Sequence, residues 1–322
     1  MMTKVALMLV AGLFALQASS AAAQQPYPEK PITVLVGVPP GGSTDAVARI
    51  FASSLQEKLG QPTIVENRPG GNTLVAATAA ARAPADGYTL LVASDAFITV
   101  PQLNKDSYDP FKDFSPIGTL TESPFVIVVH PSTPIQSMSE LVAYAKEHPG
   151  ELLYGSSGNG GASHLGGEKL KMMTGTDIVH IPYRGAGPAL IDALSGQFQM
   201  SLWSPFTAGP HVKEGKLRAL AVTGPDRVDA LPDVPTTAEA GLPEYQHRTW
   251  IGVFAPAGTP KEIVDTIAAL IAEMQTSPAI RQQLETNGLK PFPSTPEQFA
   301  EMMRSETEEV SKLIDTANIK ID

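Results

Sequence analysis

The sequence predicts an α/β protein built as two lobes of like plan with a ligand cleft between them. Three observations predict it. Apolar runs of strand length alternate with stretches of helical periodicity, as βαβ units require. That order occurs twice, each time as strand, Gly/Ser-rich turn, helix, strand, Arg-Gly turn, helix, strand. The spacing agrees: 29 positions separate Gly41 from Gly70, and 27 separate Gly158 from Gly185. Two unrelated α/β domains with generic turns are the alternative that pattern alone leaves open.

The elements follow in order. Residues 1–23 predict a cleaved secretory signal, with Lys4 in the n-region and small residues from Ser19 to Ala23. The apolar run Val5–Leu16 is 12 residues long, short of the roughly 20 that span a bilayer. Residues 32–38 (ITVLVGV) suit a strand buried on both faces. After the turn Pro39 to Asp45, Val47, Ile50, Phe51, Leu55 and Leu59 recur at helical spacing up to a stop at Gly60. A strand (63–66), the turn Arg68 to Asn72, an Ala-rich helix (75–83) and a strand (89–93) complete the first half. The second half runs through a strand (152–154), the turn Gly155 to Ser163, a helix to Gly175 and a strand (178–181). Then come Arg184 to Gly187, a helix (188–194), and strands at 200–203 and 218–222.

A Pro-dense segment, 231–243, reads as packed connecting loop, and residues 249–254 (TWIGVF) as a strand returning to the first lobe. Thr259 to Glu262 and Thr295 to Gln298 are each expected to form a capping box. The first opens a helix through Ile263, Ile267, Leu270 and Ile271. The second opens one whose stripe (Phe299, Met302, Met303, Val310, Leu313, Ile314) reads as core. The expected divisions are 1–23 signal, 24–124 plus 247–322 lobe 1, and 125–246 lobe 2.

Composition narrows the function. With 23 Lys+Arg against 33 Asp+Glu the formal charge is -10, which disfavours nucleic acid, whose phosphates draw on clustered cations. No cysteine is present, so disulfides, thiol nucleophiles and zinc–thiolate sites are excluded. The six histidines form no H-E-x-x-H or comparable pair, so no metal and no cofactor are expected. Asp106, Asp109 and Asp113 lack calcium-loop spacing and read as turn and cap residues. There is no Walker lysine and no G-x-S-x-G elbow, and Gly158-x-Gly160-x-x-Ser163 is only a degenerate dinucleotide fingerprint. No catalytic residue is assigned.

The two Gly/Ser turns are the sharpest features. Each lies between the end of a strand and the start of a helix, where unpaired N–H groups and the positive dipole end can hold an anion. Glycine admits a ligand close to the backbone, and hydroxyls add donors. Ordinary turn and cap chemistry is the bland reading of either turn alone; two at matching positions are harder to dismiss. Ser43 and Asp45 read as helix-start residues, and His164 as a ligand contact or cap rather than a general base.

Motifs along the whole remaining chain resemble the Bug (TctC-like) family, the substrate-binding proteins of the tripartite tricarboxylate transporter system. They include Pro39 to Asp45, Asn67-Arg68-Pro69-Gly70-Gly71, Asp86 to Leu91, Tyr108 to Phe114, His164-Leu165 and Lys216 to Thr223. Leu231 to Thr236, Ala238 to Pro243 and Ala255 to Pro260 continue the series. The resemblance implies a type II periplasmic-binding-protein fold, each lobe a central, mostly parallel sheet flanked by helices. It implies a periplasmic monomer that captures a small carboxylic acid and delivers it to membrane permease subunits. Carried over, it places one ligand carboxylate on Gly41, Gly42, Ser43, Thr44 and Asp45, and on Ser156, Ser157, Gly158, Asn159, Gly160, Ser163 and His164. Asp95, Ala96, Phe97, Trp203, Ser204 and Arg248 or Thr249 are expected along the rest of the cleft. Where the family often has a longer glycine cluster, this chain continues Gly71-Asn72-Thr73-Leu74.

Trp203, Phe97 and Phe206 could stack on an aromatic acid, and Arg248 could pair a second carboxylate; as core aromatics they would do neither. A ligand-sensing subunit of a signalling kinase is the alternative reading, and a secreted hydrolase on the same scaffold the third. With no Lys or Arg between Pro39 and Ala48 or between Leu152 and Glu168, anion capture within the turns can rest on backbone dipoles and hydroxyls.

Overall fold

In the computed structural model, which describes residues 27–104, 107–286, 288–317 and 319, the chain builds two sheets. The expected secretion signal lies outside the described residues, and so does Asp106. No helix among the described residues is long and apolar enough to cross a membrane.

The first sheet has strand order β11-β4-β10-β3-β1-β2. Its members are β1 (Ile32–Val36), β2 (Thr63–Asn67), β3 (Thr89–Ser94), β4 (Phe114–Pro124), β10 (Arg248–Pro256) and β11 (Lys290–Pro291). β1 pairs in parallel with both β2 and β3, while β10 and β4 run antiparallel. The second sheet, β7-β6-β8-β5-β9, repeats the plan with β5 (Val126–Val129), β6 (Leu153–Ser156), β7 (Val179–Pro182), β8 (Met200–Trp203) and β9 (Arg218–Val222). β6 is parallel to β7 and β8, and β5 is antiparallel to β8 and β9. Both sheets are therefore mixed. The parallel strands come from βαβ units, and the antiparallel ones, β11 apart, from segments that carry the chain between sheets.

Why β1 is apolar throughout is visible in its packing. Ile32, Val34 and Val36 meet one helix layer and Leu35 the other. Successive side chains point to opposite faces, so a strand covered on both sides alternates between two cores. The first layer is α1 (Ser43–Leu59) with α8 (Lys261–Thr276) and α9 (Pro278–Glu285), through Val47, Phe51, Leu55, Ile263, Ile267, Ile271 and Leu284. The second contains α2 (Leu74–Ala81), α3 (Ala96–Leu103) and α10 (Pro296–Thr316). Gly60, at φ 70, ends α1 in the left-handed conformation that glycine tolerates best. The second sheet packs α4 (Met138–Glu147) and α5 (Ala162–Thr174) on one face, and α6 (Ala186–Leu194) and α7 (Pro205–Lys213) on the other.

Two sequence expectations need correction. Thr295 forms its capping box with Gln298, but Thr259 does not cap α8: its hydroxyl donates to the Pro256 carbonyl at 2.8 Å and Pro260 takes the N-cap position. The stripe of α10 is core only in its first half, where Phe299 and Met303 are buried; Val310 and Leu313 line a groove behind the lobe junction instead.

The chain crosses between the sheets twice, between β4 and β5 and between β9 and β10. Thr223 ties the crossings together. Its hydroxyl accepts from the Phe125 amide at 2.8 Å and donates to the His247 carbonyl, and its own amide donates to the Phe125 carbonyl at 2.8 Å. His247, through Nε2, donates to the Ala162 carbonyl at 2.7 Å, which links the crossing strands to the first residue of α5.

Candidate functional site

A cleft of about 260 Å³ lies between the sheets at the carboxyl ends of β1, β3, β6 and β8. This is the edge at which open α/β sheets receive ligands. Five helices begin at its wall: α1 at Ser43, α3 at Ala96, α5 at Ala162, α6 at Ala186 and α7 at Pro205. Only the last has a side-chain cap, where Ser204 Oγ accepts from the Thr207 amide. The N-caps of α1, α5 and α6 are Gly42, Gly161 and Gly185, none of which supplies a side-chain cap. Behind these glycine caps, three sets of first-turn amides, one from lobe 1 and two from lobe 2, are left to bind something else.

Local sequence explains how each turn is held. Gly41, at φ 98, donates its amide to Asp45 Oδ2 at 3.0 Å. The other Asp45 oxygen takes Arg49 at 3.0 Å and Asn67 at 2.9 Å. Burial alone would raise the Asp45 carboxyl, but the bonds from Arg49, the Gly41 amide and Asn67 outweigh it and hold the group below the usual carboxylate range. Asp45 thus shapes the first turn from within, with its charge met by Arg49, and it does not line the cleft.

The second turn is bonded more fully. Ser157 donates its amide to Ser163 Oγ at 3.1 Å, Gly158 donates to Ser156 Oγ at 3.2 Å, and Gly160 donates to His164 Nδ1 at 3.0 Å. His164 is a cap, stacked on His180 with ring centroids 3.9 Å apart. Burial pulls the His164 imidazole down to about 4 and the His180 imidazole down to about 3. Both are neutral at ordinary pH, which leaves His164 Nδ1 free to accept.

Of the residues singled out in the sequence, Gly41, Gly42, Ser43, Thr44, Asp95, Ala96, Ser157, Ser163, Trp203 and Ser204 line the cleft. Asp45, Ser156, Gly158, Gly160 and His164 do not line it but bond within the turns, and Asn159 meets lobe 1 through its carbonyl. Phe97 is core, stacked on Phe254 at 4.1 Å, and Phe206 does not line the cavity. Arg248 points the other way: it pairs with Glu122 at 2.6 Å and sits over the Phe292 ring. Thr249, the alternative at that position, does line the cleft. Sequence reasoning missed Asn72 and the Gly185-Ala186-Gly187 turn. The second of these could have been found, because the Arg-Gly turn also joins a strand end to a helix start.

The lobes meet across the cleft. Asn72 Nδ2 donates to the Asn159 carbonyl at 3.4 Å, and a Cβ placed on Gly185 would lie 3.3 Å from Pro39. Trp203 is buried, and its Nε1–H has no partner among the described residues. Among the described residues, no lysine, arginine or histidine lines the cavity. A larger cavity of about 670 Å³ lies behind the lobe junction, between α5, α10 and residues 223–225 and 246–248. Two of its cations already have partners, with Lys169 donating to the Gln246 carbonyl at 2.6 Å and Arg248 bound to Glu122. Asp95 aside, its walls come from helix sides and connecting segments rather than helix starts.

Two lobes, two crossing strands and a cleft ringed by uncapped helix starts define a solute-binding protein of the periplasmic type. The chain belongs to the family described as "Tripartite tricarboxylate transporter family receptor", which it matches over residues 47–319. It is 37% identical over 297 residues to the protein BugT of Bordetella pertussis, covering 91% of each chain. An R. palustris protein solved with adipate is similar at a TM-score of 0.87 and 34% identity, covering 91% of this chain and 99% of that one. MatC of Rhodopseudomonas palustris, solved with bound malate, is similar at 0.82 and 32%, covering 89% and 100%. This family membership makes the chain a transport receptor rather than an enzyme.

Proposed function

We propose that the protein binds a small carboxylic acid in the cleft and presents it, as a periplasmic monomer with its lobes closed, to the permease subunits of a tripartite tricarboxylate-type transporter. One observation carries the reading: uncapped starts of α1, α5 and α6 converge from both lobes on a cavity without a basic side chain. Neutral donors arranged this way favour a carboxylate through short-range dipoles. Ser43, Thr44, Ser163 and Ser204 supply hydroxyls at the same wall, and the orphaned Trp203 indole N–H is a further donor for a ligand oxygen.

An aliphatic dicarboxylic acid is the preferred ligand. With Phe97 and Phe206 away from the cavity, Trp203 and Phe125 are the remaining aromatic rings along it, and the two similar structures above hold adipate and malate. Isothermal titration of the chain against mono-, di- and tricarboxylates tests the reading. Micromolar or tighter binding of at least one dicarboxylate supports it, and refusal of every acid ends it.

A further inference from the structure

Among the described residues, Asp95 is the only ionisable side chain on the cleft wall. It follows β3, which runs beside β1 in parallel with Val36 opposite Val92. Adjacent strands are about 4.8 Å apart, so the end of β3 lies next to the turn that opens α1. A ligand whose first carboxylate sits on that turn has its remaining polar group within reach of Asp95. Asp95 Oδ1 accepts from Thr249 Oγ1 of β10 at 2.7 Å, and no lysine, arginine or histidine bonds to the carboxyl among the described residues.

The charged groups packed behind it do not neutralise it. Glu306 of α10 adds a negative charge, and its own carboxylate is bound by Trp250 Nε1 and by Arg248 at 3.8 Å. Arg248 is committed to Glu122. Lys169 of α5, His247, Glu309 and Lys312 line the rear cavity beyond; Lys169 is held by the Gln246 carbonyl and His247 by Ala162.

We propose that Asp95 sets the chemistry of the ligand's second polar group, which is met in this cleft by a carboxyl rather than a cation. The inference rests on the carboxylate reading above. A dicarboxylate then enters with one extra proton taken from solvent, shared between Asp95 and the ligand's second carboxyl. An acid whose second group is a hydroxyl donates to ionised Asp95 and takes up none. Two facing carboxylates in an enclosed site cannot both remain charged without a large penalty. Enclosure, against the bonds from Thr249 and the local backbone, already pushes the free Asp95 carboxyl up to about 7, so the proton is close to being held before ligand arrives.

The test is calorimetry of the full chain with adipate, or the tightest dicarboxylate of the panel, and with 6-hydroxyhexanoate, in buffers of differing ionisation enthalpy. Near pH 8.5 the wild type is expected to take up about one proton per dicarboxylate and none with the hydroxy acid. Dicarboxylate affinity should weaken about tenfold per pH unit above pH 7.5. Asp95→Asn, whose amide donates without titrating, should abolish both the uptake and the pH dependence while still binding. Dicarboxylate binding near pH 8.5 without proton uptake overturns the inference from the wild type alone, whether or not the variant folds. So does a panel in which monocarboxylates bind and no dicarboxylate does at any pH. If no acid binds, the carboxylate reading itself falls and this inference falls with it.

Discussion

Replacing Ser43 by proline removes its backbone N–H and its hydroxyl, and comparison with Ser43→Ala, which lacks only the hydroxyl, isolates the N–H. Ser43 is the first helical residue of α1, where the amide has no helical acceptor and proline's fixed φ fits. Gly42 before it is extended, at φ -85 and ψ 172, the conformation that a residue preceding proline adopts. Folding stability should therefore change by less than about 0.5 kcal/mol. A backbone N–H donating to a carboxylate is worth about 1.5–3 kcal/mol, so Kd of Ser43→Pro should exceed that of Ser43→Ala roughly 10- to 150-fold. Ser43→Ala keeps the N–H and loses only a hydroxyl, so about 0.5–1.5 kcal/mol translates to roughly 2- to 12-fold. Titration calorimetry with the best-binding acid, beside thermal melts of the free proteins, separates the two. Wild-type affinity in Ser43→Pro, or a loss in Ser43→Ala as large as that in Ser43→Pro, would refute backbone capture at α1.

Three other outcomes follow from the same structure. Asn72→Gly keeps a residue suited to φ 50 but removes the bond across the lobes to Asn159; affinity should drop by about 2- to 12-fold with the melting temperature of the free protein unchanged, and unaltered affinity would contradict it. Thr223→Val leaves the Phe125 amide at the crossing strands without its hydroxyl acceptor, which should cost about 1–3 kcal/mol in denaturant unfolding; a loss under about 0.5 kcal/mol would count against the tie. Burial holds His164, His180 and His247 at about 4, 3 and 4, below their ordinary 6.5, so the unfolded chain takes up these protons first as pH falls. Stability present above pH 6.5 is lost from there toward pH 4, at about 1.4 kcal/mol per pH unit for each histidine. Asp95 and Glu306, whose folded carboxyls are raised, offset part of that loss. Imidazole NMR shifts still neutral near pH 5.5 are expected, and a protonated His164 there would contradict the burial.

The parts of the fold legible in the sequence are those whose pattern is local. Strands β1, β3, β8 and β9 are apolar runs because both faces are covered, and α1 is periodic and ends at Gly60. The long strand β4 was not legible, since Thr119, Thr121 and Ser123 are buried within it. Their burial depends on partners far along the chain, such as Ser123 Oγ donating to the Gly288 carbonyl at 3.0 Å. At the cleft, the positions of the two turns were readable because a strand end and a helix start dictate them. Which atoms remain free was not. Ser157 resembles Ser43 in sequence, yet its amide is spent on Ser163. Arg248 and Thr249 are neighbours on one strand, so alternation sends one to the rear groove and the other to the cleft. A one-residue choice of register of that kind is fixed by pairing with β4 and β3, not by local composition.

A crystal structure of the chain grown with its best-binding carboxylic acid tests the central claim most directly. Carboxylate oxygens are expected at about 2.7–3.1 Å from first-turn amides of α1 and of α5 or α6, with no lysine or arginine side chain in contact. A ligand carboxylate paired with Arg248, Lys169 or any other cation, or seated in the groove behind the lobe junction, would contradict it.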